Sequence, residues 1–189
     1  MAAIYSTTNG EGIDVNSVFM LDTSTLEYPR PPFGVGTIAM GTDGSSWVYC
    51  TASITIGSGA AVLISNTPGN WSCALTGGAT VGTAPTGTFV GVVGGSTGTM
   101  VVPAPSGTQT GAFFWVQRLG NCPNVKTAAS TTKNAQLYSS ATTGGTLSST
   151  AGGAATTYQV NGLVVSVATG SAAGPNSAIL NWPIIGTSA

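Results

Sequence analysis

Hydrophobic and polar positions alternate in short runs along most of the chain, and stretches of Gly, Ser, Thr and Asn separate the runs. A period of two is what a β-strand imposes, because its successive side chains point to opposite faces. Runs of this kind fall at residues 35–40, 47–56, 61–65, 71–75, 88–93, 99–102, 111–119, 125–129, 135–139, 158–160, 163–169 and 178–185. Many are rich in Val, Ile, Thr and aromatics, which fit a pleated surface. Turn formers punctuate them at Thr42-Asp43-Gly44, Gly57-Ser58-Gly59, Thr67-Pro68-Gly69, Gly94-Gly95, Thr143-Gly144-Gly145 and Gly152-Gly153. No long helical period and no fixed-period repeat is present, so bundles and solenoids are set aside. The pattern predicts an all-β fold: a single compact barrel- or sandwich-like domain of many short antiparallel strands. Closure would remove the edges that such apolar strands otherwise expose.

The run at 111–124, G-A-F-F-W-V-Q-R-L-G-N-C-P-N, is the most apolar at its centre. Alternation places Phe113, Trp115 and Gln117 on one face and Phe114, Val116 and Arg118 on the other. A strand apolar on both faces is buried by two layers. It is the predicted core strand, bracketed by Gly111 and Gly120.

Residues 1–33 depart from the pattern. Pro29, Pro31 and Pro32 fix an extended path and remove ladder donors. Asp14 is placed to cap one helical turn carrying Val15, Val18 and Phe19. The prediction is an extended N-terminal arm over 1–33, followed by the β-domain over 34–189. Val18, Phe19, Met20 and Leu21 would cost solubility in water, so the arm should lie on something. Val18, Phe19, Leu21, Tyr28, Arg30 and Phe33 are the expected contact residues, and removing residues 1–30 should leave a folded domain that has lost its partner.

Composition sharpens this picture. Only 5% of the 189 residues are charged, against about 25% in an average soluble protein, and the formal net charge is −1. So few charges do little to keep copies apart, and association follows. All five acids (Glu11, Asp14, Asp22, Glu27, Asp43) lie in the first 43 residues, with Arg30; beyond them stand only Arg118, Lys126 and Lys133. These are solvated side chains or, on a sharper view, an acidic arm that docks on a basic surface. The basic patch is too small for nucleic acid. No stretch approaches the ~20 apolar residues of a membrane helix. The opening Met1-Ala-Ala-Ile lacks the features of a secretory leader, which predicts synthesis in a cytoplasm.

Candidate chemistry is sparse. The chain has no histidine, which removes the commonest general base and metal ligand and every Ser-His pair. Cys50, Cys73 and Cys122 lack CxxC spacing and read as small buried apolar residues, with a Cys50–Cys73 disulfide open only outside a reducing compartment. Asp43, in Thr-Asp-Gly-Ser, reads as a turn residue. Asn70-Trp71-Ser72 matches a glycosylation triplet and reads as a loop. No glycine pair is followed by the Lys of a phosphate loop. Trp47, Trp71, Trp115 and Trp182 offer stacking platforms for sugars, though core packing is the favoured role. No catalytic, cofactor-binding or metal residue is expected, and the chain is not expected to be an enzyme.

One ordered series of segments resembles a known family. It runs from G-V-G-T-I-A-M-G-T-D-G-S-S-W-V-Y-C-T-A-S-I-T-I-G-S-G-A-A-V-L-I (34–64) through V-G-V-V-G (90–94) and the aromatic run at 111–122. It continues through a segment holding Lys126, A-Q-L-Y-S-S-A-T-T-G-G-T-L (135–147), Y-Q-V-N-G-L-V-V (158–165) and L-N-W-P-I-I (180–185). The order resembles the capsid decoration, or cement, proteins of tailed bacteriophages, over most of residues 34–185. The resemblance implies a structural virion protein on the capsid exterior, with no catalytic residues. The implied partners are the major capsid protein and further copies of itself, a trimer favoured over a dimer. A carbohydrate- or host-surface-binding β-domain of a fibre or adhesin is the alternative.

Overall fold

A computed structural model of the chain describes residues 4–6, 13–24, 30–67, 69–77, 87–94, 100–152 and 157–188, and absences below refer to those residues. They contain no helix and twelve strands: β1 (Ile4–Ser6), β2 (Val18–Asp22), β3 (Ile38–Met40), β4 (Ser46–Ala52), β5 (Ala61–Thr67), β6 (Asn70–Leu75), β7 (Phe89–Val93), β8 (Gln109–Thr127), β9 (Leu137–Ser139), β10 (Leu147–Ser148), β11 (Tyr158–Val165) and β12 (Gly174–Ser188). All twelve join in one hydrogen-bonded sheet. The all-β expectation holds.

β8 is the axis of the molecule. Its first half pairs antiparallel with β2 on one side and β4 on the other. Its centre meets β7 through Val92↔Gln117 and Val93↔Val116, and its second half meets β12 from Leu119 to Thr127. Two pairing circuits therefore share it. One runs β8–β4–β6–β5–β7 and back to β8, joined at β4–β6 by Thr51↔Ser72. The other runs β8–β12–β11–β9–β10 and back, joined at β10–β8 by Leu147↔Thr127.

Each circuit contributes one core. Val48, Cys50, Ala52, Val62, Ile64, Cys73, Val93, Phe114 and Val116 form the first, and Cys122, Val125, Leu137, Leu147, Val160, Val165, Leu180 and Ile185 belong to the second. β5 and β7 serve both. Val62 and Ile64 join the first core while Ala61 joins the second; Val93 joins the first while Val90 and Val92 join the second. A two-residue period buried on both faces makes these strands an internal wall.

The sequence pattern divides β8 in two at Gly120-Asn121-Cys122-Pro123, but the strand runs through. Gly120 takes φ 94, and a Cβ there would stand 2.9 Å from the Ser45 Cα, so only glycine permits this bend against the β3–β4 turn. Pro123 donates nothing, and the register shifts at that point: Cys122 faces Ala178 and Val125 faces Asn176, leaving Pro123 and Asn124 opposite Ser177. A bulge is where a sheet accepts proline.

The segment before residue 34 also differs from expectation. Asp14 caps a turn, not a helix: its Oδ1 accepts from the Asn16 amide (2.9 Å) and its carbonyl from the Ser17 amide (3.2 Å). β2 follows at once, with Val18↔Phe114 through Leu21↔Gly111 in register. The β propensity of Val-Phe-Met-Leu and an open edge on β8 outweigh the capping signal. β1 pairs parallel with β3.

Candidate functional site

The residues singled out as contacts are distributed over the molecule's own sheet. Alternation along β2 sends Val18 and Met20 onto the first core. Phe19 points the other way, edge-on to Phe113 with centroids 6.3 Å apart. Leu21 is half-buried and Arg30 exposed. Phe33 packs on Trp115 and Tyr49 at 5.1 and 5.5 Å. Tyr28 lies outside the described residues. Phe33, with Phe19 against Phe113, thus helps cover the outer aromatic face of β4 and β8, where Trp47, Tyr49 and Trp115 form a third cluster with Ile13, Val15, Phe33 and Phe113 against it. Val18, Phe19 and Phe33 have intramolecular partners, because β8 is apolar on both faces: Val18 packs on the inner one and Phe19 and Phe33 on the outer.

Unpartnered apolar surface stands elsewhere. Val164 on β11 and Ile179 on β12 are direct cross-strand neighbours. They are 43% and 55% exposed, with Val167 at 56% near the end of β11. Sequence reasoning passed over them, though a signal exists. Leu163-Val164-Val165 and Ala178-Ile179-Leu180 are three-residue apolar runs on paired strands. In each, the outer two residues are buried and the middle one is left facing out.

Trp182 follows on β12. It is 41% exposed and takes φ 48, a left-handed conformation that is strained for a bulky aromatic. Its ring centroid lies 4.9 Å from the Arg118 guanidinium carbon, which also sits 4.1 Å from the Phe89 centroid. Phe89 stacks in turn on Trp71 at 6.4 Å. Arg118 is itself buried, and its Nε donates to the Val90 carbonyl (3.4 Å). Burial lowers its pKa to about 10, so it stays cationic at neutral pH against both rings. Of the four tryptophans, Trp47 and Trp115 are buried, Trp71 is half-buried and Trp182 stands out.

The groups that carry chemistry elsewhere are enclosed or engaged here. Cys50, Cys73 and Cys122 are free and buried. Burial pushes the Cys122 thiol up to about 11 and Cys73 well above its ordinary value, so neither offers a thiolate at neutral pH. Asp43 holds its turn, its Oδ1 accepting from the Ser45 amide (3.0 Å) and the Ser45 hydroxyl. Among the described residues no group of three or more His, Cys, Asp or Glu could hold a metal ion. No helix there is long and apolar enough to cross a membrane. No protein-family model matches the chain, and no curated protein matches it.

Proposed function

We propose that the chain is a structural protein of a virion, one that binds the outer surface of a bacteriophage capsid and clamps neighbouring major capsid subunits. The observation that carries this reading is the outward-facing Val164–Ile179 pair, set on two paired strands of a chain with nine formally charged residues. Such a face is stable when another protein covers it. The ordered resemblance to decoration proteins supplies the class of partner. The mechanism is multivalent: a copy that touches two subunits makes their separation break several contacts together. Self-association, with a trimer favoured over a dimer, adds to the same effect.

The test uses purified expanded shells of the virus that encodes the chain. Wild-type protein should co-sediment with shells and raise their disruption temperature. The Val164→Lys/Ile179→Lys double variant should keep its far-UV spectrum and thermal midpoint and lose at least about tenfold in shell affinity, since two desolvated charges oppose binding. Wild-type protein that stays in the supernatant, or a double variant that binds undiminished, sinks the proposal.

Trp182 favours a second reading, a carbohydrate- or host-surface-binding domain. An exposed indole held in place by Arg118 is a stacking platform for a sugar ring. Glycan binding that is lost in Trp182→Ala, with shell binding absent, would select it.

A further inference from the structure

β12 bulges at Trp182. Asn161 faces Ile184 and Leu163 faces Leu180, so Asn181, Trp182 and Pro183 stand opposite Gly162 alone. Gly162 takes φ 80, and a Cβ there would stand 2.6 Å from the Asn181 carbonyl oxygen, so glycine is what admits the extra residues. Regular alternation would send residue 182 inward after Ala178 and Leu180, which are buried. The bulge turns the indole outward instead, 41% exposed and at φ 48. Bulges re-aim side chains in this way beside functional sites, and backbone strain collects there too.

Arg118 is a separate observation. It is 6% exposed, and among the described residues no carboxylate forms an ion pair with it. Phe89 and Trp182 attract its charge but offer no lone pairs to its N–H groups. Nε donates to the Val90 carbonyl (3.4 Å). Nη1 and Nη2 meet no acceptor among the described residues, and neither atom is sealed from solvent. A largely desolvated cation with open donors calls for an anion that accepts from both. The guanidinium carbon lies 4.9 Å from the Trp182 centroid, so that anion would sit beside the indole.

Four ligand classes meet some of these demands. A bare inorganic anion would use the donors and leave the indole in water. A nucleic acid would bring a row of phosphates to one cation. An acidic peptide side chain brings a carboxylate without a ring. A sugar acid brings both: a carboxylate that accepts from Nη1 and Nη2, and a pyranose whose C–H face covers the indole. We propose that Trp182 and Arg118 form a binding site for a carboxylated sugar, a uronic acid residue of a glycan. The inference rests on the carbohydrate reading of Trp182 and names its sugar class.

Titration of the intact, ¹⁵N-labelled protein with sodium methyl glucuronoside at constant ionic strength and neutral pH tests it. The Trp182 indole N–H, assigned by its absence from Trp182→Gly, and the Arg118 Nε–H should shift together and saturate at a midpoint on the order of 1 mM. The isosteric carboxamide keeps the ring and removes the charge, and should bind at least about tenfold more weakly. Trp182→Gly adopts the left-handed backbone without strain and should lose at least about tenfold in glucuronoside affinity. Methyl glucoside that binds as tightly as the glucuronoside keeps the carbohydrate reading and overturns this inference. Equal binding of sodium acetate or a Gly-Asp-Gly peptide overturns it as well, since the site then takes any carboxylate. Undiminished binding to Trp182→Gly does the same. A protein that responds to none of these ligands overturns the inference together with the carbohydrate reading.

Discussion

Arg118 shows how a single side chain ties three strands together. It leaves β8 on the face shared with Phe114 and Val116, crosses Phe89 of β7 and ends beneath Trp182 of β12. Its planar cation stacks on two rings where an ammonium would sit as a point charge, so lysine is a poor substitute. Arg118→Lys should cost about 1 kcal/mol and Arg118→Ala about 2–3 kcal/mol, through lost packing as well as lost cation–π attraction. Urea unfolding at pH 7 measures both, and equal costs would show that the stem and not the guanidinium matters. The facing of Arg118, with Gln117 opposite, was legible from alternation alone. Its partner Trp182 was not. A residue before proline is biased to extended backbone, yet Trp182 before Pro183 is left-handed, and nothing local in Asn-Trp-Pro announces it.

At the scale of elements, the sequence was read best where packing agrees with local pattern. β5, β6 and β7 fall within two residues of expectation, since each is a short apolar run closed by turn formers. β8 was split because Gly120 and Pro123 are strong local breakers, while the pairing that overrides them comes from β12, more than fifty residues later. β2 was read as an arm for the same reason: its partner, 109–114, lies about ninety residues away. Its pairing adds a stability cost to truncation. Removing residues 1–24 strips Val18 and Met20 from the first core and Ile13 and Val15 from the aromatic face, and leaves β8 an open edge. Four half-buried side chains at about 1 kcal/mol each predict a loss of about 4 kcal/mol and a tendency to aggregate. Denaturant midpoints and light scattering check this; a truncated chain as stable and monodisperse as the full one would show that β2 merely decorates the sheet.

For the whole molecule, scarcity of charge decides how pH acts. With four bases, five acids and no histidine, self-repulsion on titration is small, and the response near neutrality is flat. The sensitive groups are the buried ones that must stay protonated. Burial holds the Cys122 thiol at about 11, against an ordinary 9.0, and pushes Cys73 and the Tyr49 phenol upward as well. The folded chain therefore keeps protons that the unfolded chain releases. Stability is complete below pH 9 and declines as pH rises through 11, by about 3 kcal/mol for Cys122 alone. On the acid side Asp22 and Asp43 work in the opposite sense: hydrogen bonds from Thr108 and Ser24, and from Ser45, hold their pKa values below the ordinary 3.8, so their contribution is present above that pH and fades as they protonate. Both are open to solvent, so the acid loss is the smaller. Urea midpoints at pH 7, 9 and 10.5 should be level between the first two and lower at the third, with Cys122→Ala less stable at pH 7 but visibly shallower in its alkaline decline. A variant that declines as steeply as the wild type would remove Cys122 as a cause and leave Tyr49, on β4 beside β8, and Cys73, in the first core, as the groups that set the alkaline limit.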